Sequence, residues 1–224
     1  MRYWYLLLIP IFQIATAQQE KLSLEDIWLN NSFEIETLQS FQTMKTGDFY
    51  TVLNHNSYGT YLDKFDFATQ EKIETLVVAR DLPGIRYFES YAFNEDENKL
   101  LLGVDLETVY RRSKKGISFV YDLSSKELQK ISEEPIQEPS FSPDGTKVAY
   151  VYNNNIYVKD LLSSTVDQIT QDGKINQIIN GLADWVYEEE FSFVRAYEWN
   201  SASDRIAYLR FDETKVPEFS MDLY

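Results

Sequence analysis

Three segments of the chain repeat one another: Tyr91 to Gly103, Ser140 to Tyr150 and Tyr197 to Tyr208. Each runs aromatic, then Asn or Ser, then a polar turn, then Lys or Arg, then an apolar strand. Self-similarity of this kind marks a repeat architecture before any other feature is read. In the middle copy Pro143-Asp144-Gly145 is a turn with a mechanism, since Pro presets φ and Gly supplies φ > 0. Strands flanking such a turn make a β-hairpin. A second element follows each hairpin. Tyr61 to Asp66, Ser118 to Asp122 and Ile156 to Asp160 read as strands ending in Asp, each followed by a polar turn and a closing strand over 72–78, 127–131 and 166–169. Two hairpins per unit give a four-stranded antiparallel sheet. The units recur 48 residues apart from Phe93 to Phe141 and 58 apart from Phe141 to Trp199, the range of propeller blades. A sandwich also has regular short strands. The repeated hairpin followed by an Asp-terminated strand favours the propeller. The expected fold is therefore all-β: an incomplete β-propeller of about four blades or parts of blades over residues 18–224, with a short helix near Leu22 to Trp28. An open propeller exposes edge strands, which predicts a tendency to aggregate.

Composition narrows the function. The 16 Tyr and 14 Phe suit pleated surfaces. A net charge of −15 argues against a nucleic-acid partner, which needs clustered Lys and Arg to displace counterions. With no Cys, disulfides, thiolate catalysis and Cys-based metal sites are excluded. His55 is the only His, so any triad or His-built metal centre would have to form around it. No metal or organic cofactor is implied. The first residues read as an address. Met1 and Arg2 precede a nearly continuous apolar run from Tyr3 to Ile14, then Ala15-Thr16-Ala17, the layout of a cleavable secretory signal. Signal peptide 1–17 is expected to be cleaved near Ala17, leaving a secreted or periplasmic protein. The alternative is a membrane anchor made by an uncleaved signal, although the run falls short of the roughly 20 residues of a comfortable span.

The interval before the last repeat holds an insertion, Gly181 to Phe191, unlike the blades. Asp184 is a good helix N-cap, and Trp185 to Glu190 can form one or two helical turns. Three consecutive Glu in a short capped helix can be nothing more than a solvated face. However, Asp184-Trp185-Val186-Tyr187-Glu188-Glu189-Glu190 resembles the acidic motif of the dipeptidyl peptidase IV family, and the likeness continues through Lys147 to Lys159 and Trp199 to Pro217. The resemblance covers most of the mature chain and is strongest from Phe119 onward. It implies that Glu189 and Glu190 hold the free amino terminus of a peptide substrate, with Glu188 facing elsewhere. It also implies that Arg111 orders the acidic pair and helps bind a main-chain carbonyl. The register leaves Arg112 as the alternative, and Arg111, Arg112, Lys114 and Lys115 could equally be a solvated basic loop tip.

The chemistry fits that implication. A peptide α-ammonium is mostly charged at neutral pH. Two carboxylates give it charge-assisted hydrogen bonds. A blocked terminus would leave desolvated acids unpaired, so it would be rejected by cost rather than by fit. Adjacent helical residues point about 100° apart, so either Glu189 and Glu190 straddle the amine from two sides or the helix ends between them.

The resemblance places a nucleophile on a Gly-x-Ser-x-Gly elbow in an α/β-hydrolase domain, and no such elbow occurs here. His55-Asn56-Ser57-Tyr58-Gly59 comes nearest and reads as a hairpin turn instead. The chain is thus expected to end inside the propeller, before a catalytic domain, and to have no peptidase activity alone. The complete protein implied is a secreted serine exopeptidase that releases N-terminal Xaa-Pro or Xaa-Ala dipeptides through an acyl-enzyme, and family members commonly form homodimers. The alternative is a non-catalytic secreted propeller binding a peptide or protein. The Glu189-Glu190 pair separates the two, because a binding-only propeller has no need of it. Asn30-Asn31-Ser32 is a glycosylation sequon.

Overall fold

Lys99 to Gly103 carries three successive Leu, a continuous apolar run rather than an alternation. A strand of that kind must be covered on both faces, and the structure covers it. The computed structural model describes residues 22–30, 32, 33, 35 and 41–218. The expected signal at 1–17 and the closing Met221 to Tyr224 lie outside the described residues, as does Asn31 of the sequon. Residues 1–38 and 39–224 are two units. In the first, α1 (Leu24–Trp28) is closed by a capping box: the Ser23 side chain accepts from the Asp26 amide, and Asp26 accepts from the Ser23 amide at 3.1 Å. Among the described residues no helix is long and apolar enough to cross a membrane.

The second unit is a succession of antiparallel meanders. β1 (Phe41–Thr43), β2 (Phe49–Asn56), β3 (Gly59–Asp66) and β4 (Lys72–Val78) form the first four-stranded sheet. β5 (Ser90–Phe93), β6 (Lys99–Thr108), β7 (Lys114–Asp122) and β8 (Leu128–Lys130) form the second. β9 (Gln137–Phe141), β10 (Lys147–Tyr152), β11 (Asn155–Asp160) and β12 (Val166–Gln168) form the third. A fourth begins. β14 (Tyr197–Trp199) pairs with β15 (Ile206–Tyr208), and β13 (Ile178–Asn180) pairs with β16 (Arg210–Asp212). The described residues therefore make three complete blades and the pieces of a fourth, a partial propeller as the repeat predicts.

The core lies between sheets rather than within one. Leu100 and Leu102 join Leu53, Leu62 and Val77 of the first sheet. Leu101, which the period-2 pleat turns the other way, joins Val148 and Tyr150 of the third. The corresponding strand of the third sheet, β10, behaves likewise: Ala149 and Val151 turn from the second sheet towards Leu182 and Tyr197. The Tyr197 hydroxyl reaches the Ala149 carbonyl at 2.8 Å and also the Glu138 carbonyl, fixing the start of the fourth blade against the third.

The repeated turns are one structure. Gly47, Glu97, Gly145 and Ser203 all have positive φ, of 77°, 52°, 66° and 59°. Their amides reach back to the carbonyls of Met44, Asn94, Ser142 and Asn200 at 2.8–3.0 Å. Met44 to Phe49 is thus a fourth copy that the sequence does not advertise. The Asp-terminated strands also have a reason. Asp66, Asp122 and Asp160 each accept two backbone amides from the following turn through Oδ1, at 2.7–3.0 Å.

These turns make an acid-labile set. The Ser124 hydroxyl, then the Ser125 and Ser124 amides and the Lys99 charge, bring Asp122 down to about 2 against its burial. At Asp144 burial raises the carboxyl. The Ser142 hydroxyl and the amide and hydroxyl of Thr146 outweigh it, again giving about 2. A carboxyl whose folded value lies below its unfolded value of about 3.9 stabilises the fold above that unfolded value and loses the contribution as pH falls through the folded one. The urea midpoint should therefore drop between about pH 4 and pH 2. Asp122→Asn, which keeps an acceptor but cannot titrate, should flatten part of that drop. An unchanged slope in the variant would remove Asp122 from the account.

Candidate functional site

A meander of four strands places its first and third turns at one end. Its second turn and the connection to the next sheet lie at the other. The β6–β7 hairpin and the connection carrying the insertion therefore share an end, though they belong to different sheets. The hairpin is long enough to reach. β6 has ten residues and carries a bulge between Val104 and Glu107, with Asp105 at φ 52°. Gly116 lets the bulge pass, since a Cβ there would lie 2.8 Å from the Val104 carbonyl oxygen. The tip closes on Ser113, whose carbonyl accepts from Val109 at 2.9 Å and whose hydroxyl accepts from Tyr110 at 3.1 Å.

The insertion stands on a two-legged stem. Ala183 donates to the Val194 carbonyl at 2.8 Å and Ala196 to the Gly181 carbonyl at 3.0 Å, while Leu182 bridges Arg195. At its head sits α2 (Trp185–Phe191), capped as expected by Asp184, which accepts from the Tyr187 amide at 2.8 Å. Ser192 ends it in the left-handed region at φ 61°.

Of the residues singled out in the sequence, the structure brings Arg111 and Glu189 together, with Nη2 2.9 Å from Oε1. The Arg111 side chain is 70% exposed and that of Glu189 is 25% exposed. Glu190 follows on the exposed side of α2. The backbone amide of Arg112 goes to Glu188. The sequence placed Glu188 only as facing elsewhere, without a partner. Glu188 is 1% exposed and is the only buried residue of α2. Its Oε1 accepts from the amides of Arg112 at 2.6 Å and Ser113 at 2.9 Å. Burial pushes the carboxyl up, but the Ser113 hydroxyl, the two amides and the Arg112 charge outweigh it and hold it below its ordinary value. In the sequence it is the first of three identical acids and carries no signal of burial. His55 and Ser57 lie elsewhere, at the β2–β3 hairpin. There the His55 ring Nδ1 is 3.0 Å from the Thr60 hydroxyl, and Asn56 accepts from the Tyr58 amide at 2.8 Å. That segment is a turn, as read.

Residues 94–224 match the family model described as the dipeptidyl peptidase IV (DPP IV) N-terminal region. The chain belongs to that family. Human prolyl endopeptidase FAP is 32% identical over 91% of this chain and 26% of its own length. Cat dipeptidyl peptidase 4 is 38% identical over 60% of this chain and 18% of its own length. The crystal structure of Porphyromonas gingivalis dipeptidyl peptidase 4 matches with a TM-score of 0.81 at 32% identity, over 92% of this chain and 29% of that one. The chain thus spans about a quarter of the length of human FAP and of the Porphyromonas enzyme.

In this DPP IV N-terminal region a cleft of about 600 Å³ opens beside the hairpin tip, lined by Tyr110, Ser113, Gln137, Ile179, Ala183 and Glu213 among others. Its wall is electronegative. Burial and the Asp184 charge push the Glu213 carboxyl up. Burial, then Glu213, Glu188 and Asp184, push the Tyr110 hydroxyl up. Such a wall favours a cationic ligand group over an anionic one.

Proposed function

We propose that this chain is the N-terminal propeller portion of a secreted, DPP IV-like serine exopeptidase, and that Glu189 and Glu190, ordered by Arg111, hold the free α-ammonium of peptide substrates. The ion pair of Arg111 with Glu189 carries the reading. It fixes one carboxylate by one of its oxygens and leaves the other oxygen, and all of Glu190, open. Two acids and one guanidinium leave a net charge of −1, the complement of a single ammonium. The exposed guanidinium keeps donors free for a main-chain carbonyl one residue into the substrate. Removing the ammonium's charge by acylation removes the match and leaves Glu190 and the second oxygen of Glu189 without a partner. Nucleophile, base and oxyanion hole are supplied from outside residues 1–224, consistent with the lack of an elbow sequence. The products are Xaa-Pro or Xaa-Ala dipeptides, and the complete protein acts as a homodimer.

Titration of the chain with Ala-Pro-Ala amide, followed by backbone NMR shifts, tests this. Shifts should cluster at Arg111, Glu189 and Glu190. The N-acetylated peptide should bind at least about tenfold more weakly, the loss of one to two charge-assisted hydrogen bonds. No dipeptide should be released from either. Equal affinity for the two peptides, or dipeptide release by the purified chain, would sink the reading.

A further inference from the structure

We propose that Glu188 is the positioning residue of this site: its buried carboxylate clamps the β6–β7 hairpin to α2 and thereby sets Arg111 against Glu189. This deepens the substrate-anchor reading and rests on it for its consequence, though the clamp itself can be judged separately.

A seven-residue helix ordinarily docks by an apolar stripe. α2 does not. Trp185, Val186, Tyr187 and Phe191 are all exposed, and the one residue it buries is an acid. The acid is spent on two backbone amides of a segment 76 and 75 residues earlier in the chain. Those amides belong to Arg112 and Ser113, directly after Arg111. The next residue of α2 after Glu188 is Glu189. One carboxylate therefore fixes the backbone on both sides of the ion pair, one residue away from each partner. The Arg111–Glu189 pair orients two side chains, but so exposed a contact cannot by itself hold the two backbone segments in place. Side-chain reach matters more than charge here, because both amides converge on the same oxygen.

The test compares Glu188→Ala, Glu188→Asp and Glu188→Gln in the whole chain. Asp keeps the charge and withdraws the acceptor by one methylene, whereas Gln keeps the reach and loses the charge. Amide hydrogen exchange is read at Arg112 and Ser113, with Tyr187 as the internal control for α2. The Arg111 guanidinium NMR signals report its pairing. Ala-Pro-Ala amide supplies the binding readout. In the Ala and Asp variants, exchange at Arg112 and Ser113 should quicken and peptide affinity fall, each by about tenfold or more, the cost of an unmade hydrogen bond. Tyr187 should not change, and the Arg111 signals should broaden. Gln should stay within about threefold of the native chain in both. Unchanged exchange in Glu188→Ala overturns the clamp. So does quickened exchange with undiminished affinity, or an Asp variant that binds natively while Gln does not, since that would make Glu188 a charge rather than a positioner. If the native chain binds no peptide at all, the anchor reading fails. The exchange and Arg111 signals then decide the clamp alone.

Discussion

Glu189→Ala and Glu190→Ala should each weaken binding of a free-amino peptide at least about tenfold, and by as much as a hundredfold where the lost bond is fully charge-assisted. An anchor that engages only the end of a peptide contributes one or two such bonds, so the native affinity belongs near the millimolar range, about 4 kcal/mol. Either variant then moves the midpoint to about 10 mM or beyond. Stability provides the contrast. The Arg111–Glu189 pair is mostly exposed on the arginine side, and surface pairs contribute about 0–1 kcal/mol. Glu190 is exposed. Neither substitution should move the unfolding midpoint appreciably. Arg111→Ala is the sharper variant. Removing a mere counter-ion would leave Glu189 more negative and strengthen its hold on an ammonium. Removing a group that orders Glu189 and holds a carbonyl would weaken it. We expect weakening of about tenfold. An increase in affinity would leave the acidic pair in place but take Arg111 out of the site.

The framework was legible because its signals are local. Pro143, Asp144 and Gly145 specify a turn from three neighbouring residues, and Asp66, Asp122 and Asp160 cap the turns that follow them. Asp184 likewise announces α2. What stayed hidden was chemistry made by backbone or by distant residues. The turn at Met44 to Phe49 has the geometry of the others, but apart from Gly47 it lacks their side-chain signature. The residue pattern therefore showed three copies where the fold has four. Glu188 is the second case. The motif resemblance set it apart from Glu189 and Glu190 only as facing elsewhere, and nothing local says what it faces. Its role comes from a hairpin in another sheet, brought to the same end by the parity of a four-stranded meander. Composition alone shows Arg111 as one cation among four; the family resemblance is what singled it out, with Arg112 as its alternative, and in the structure Arg111 pairs with Glu189 while the amide of Arg112 goes to Glu188.

The largest effects on stability are expected from Leu102→Ala and Leu101→Ala, and the pair together distinguishes a propeller from a sandwich. In a sandwich each strand buries one face and wets the other. Of two successive leucines, one would then be nearly free to replace, within about 0.5 kcal/mol. In β6 neither is. Leu102 is fully buried towards Leu53, Leu62 and Val77 of the first sheet, and Leu101 is buried towards Val148 and Tyr150 of the third. Each truncation removes transfer energy and leaves a cavity that flanking sheets, held by their own ladders, collapse into only partly. Buried Leu→Ala costs about 2–5 kcal/mol under such conditions. For a chain of this size that lowers the thermal midpoint by about 4–20 °C. Because the two side chains face different sheets, their costs should nearly add in the double variant, apart from what adjacent backbone positions share. Thermal and urea unfolding of the two single variants decide the matter. Loss from both places β6 between two neighbours. Loss from only one would mean that the uncovered face is solvated, and the blade-to-blade core described above would be wrong at that strand.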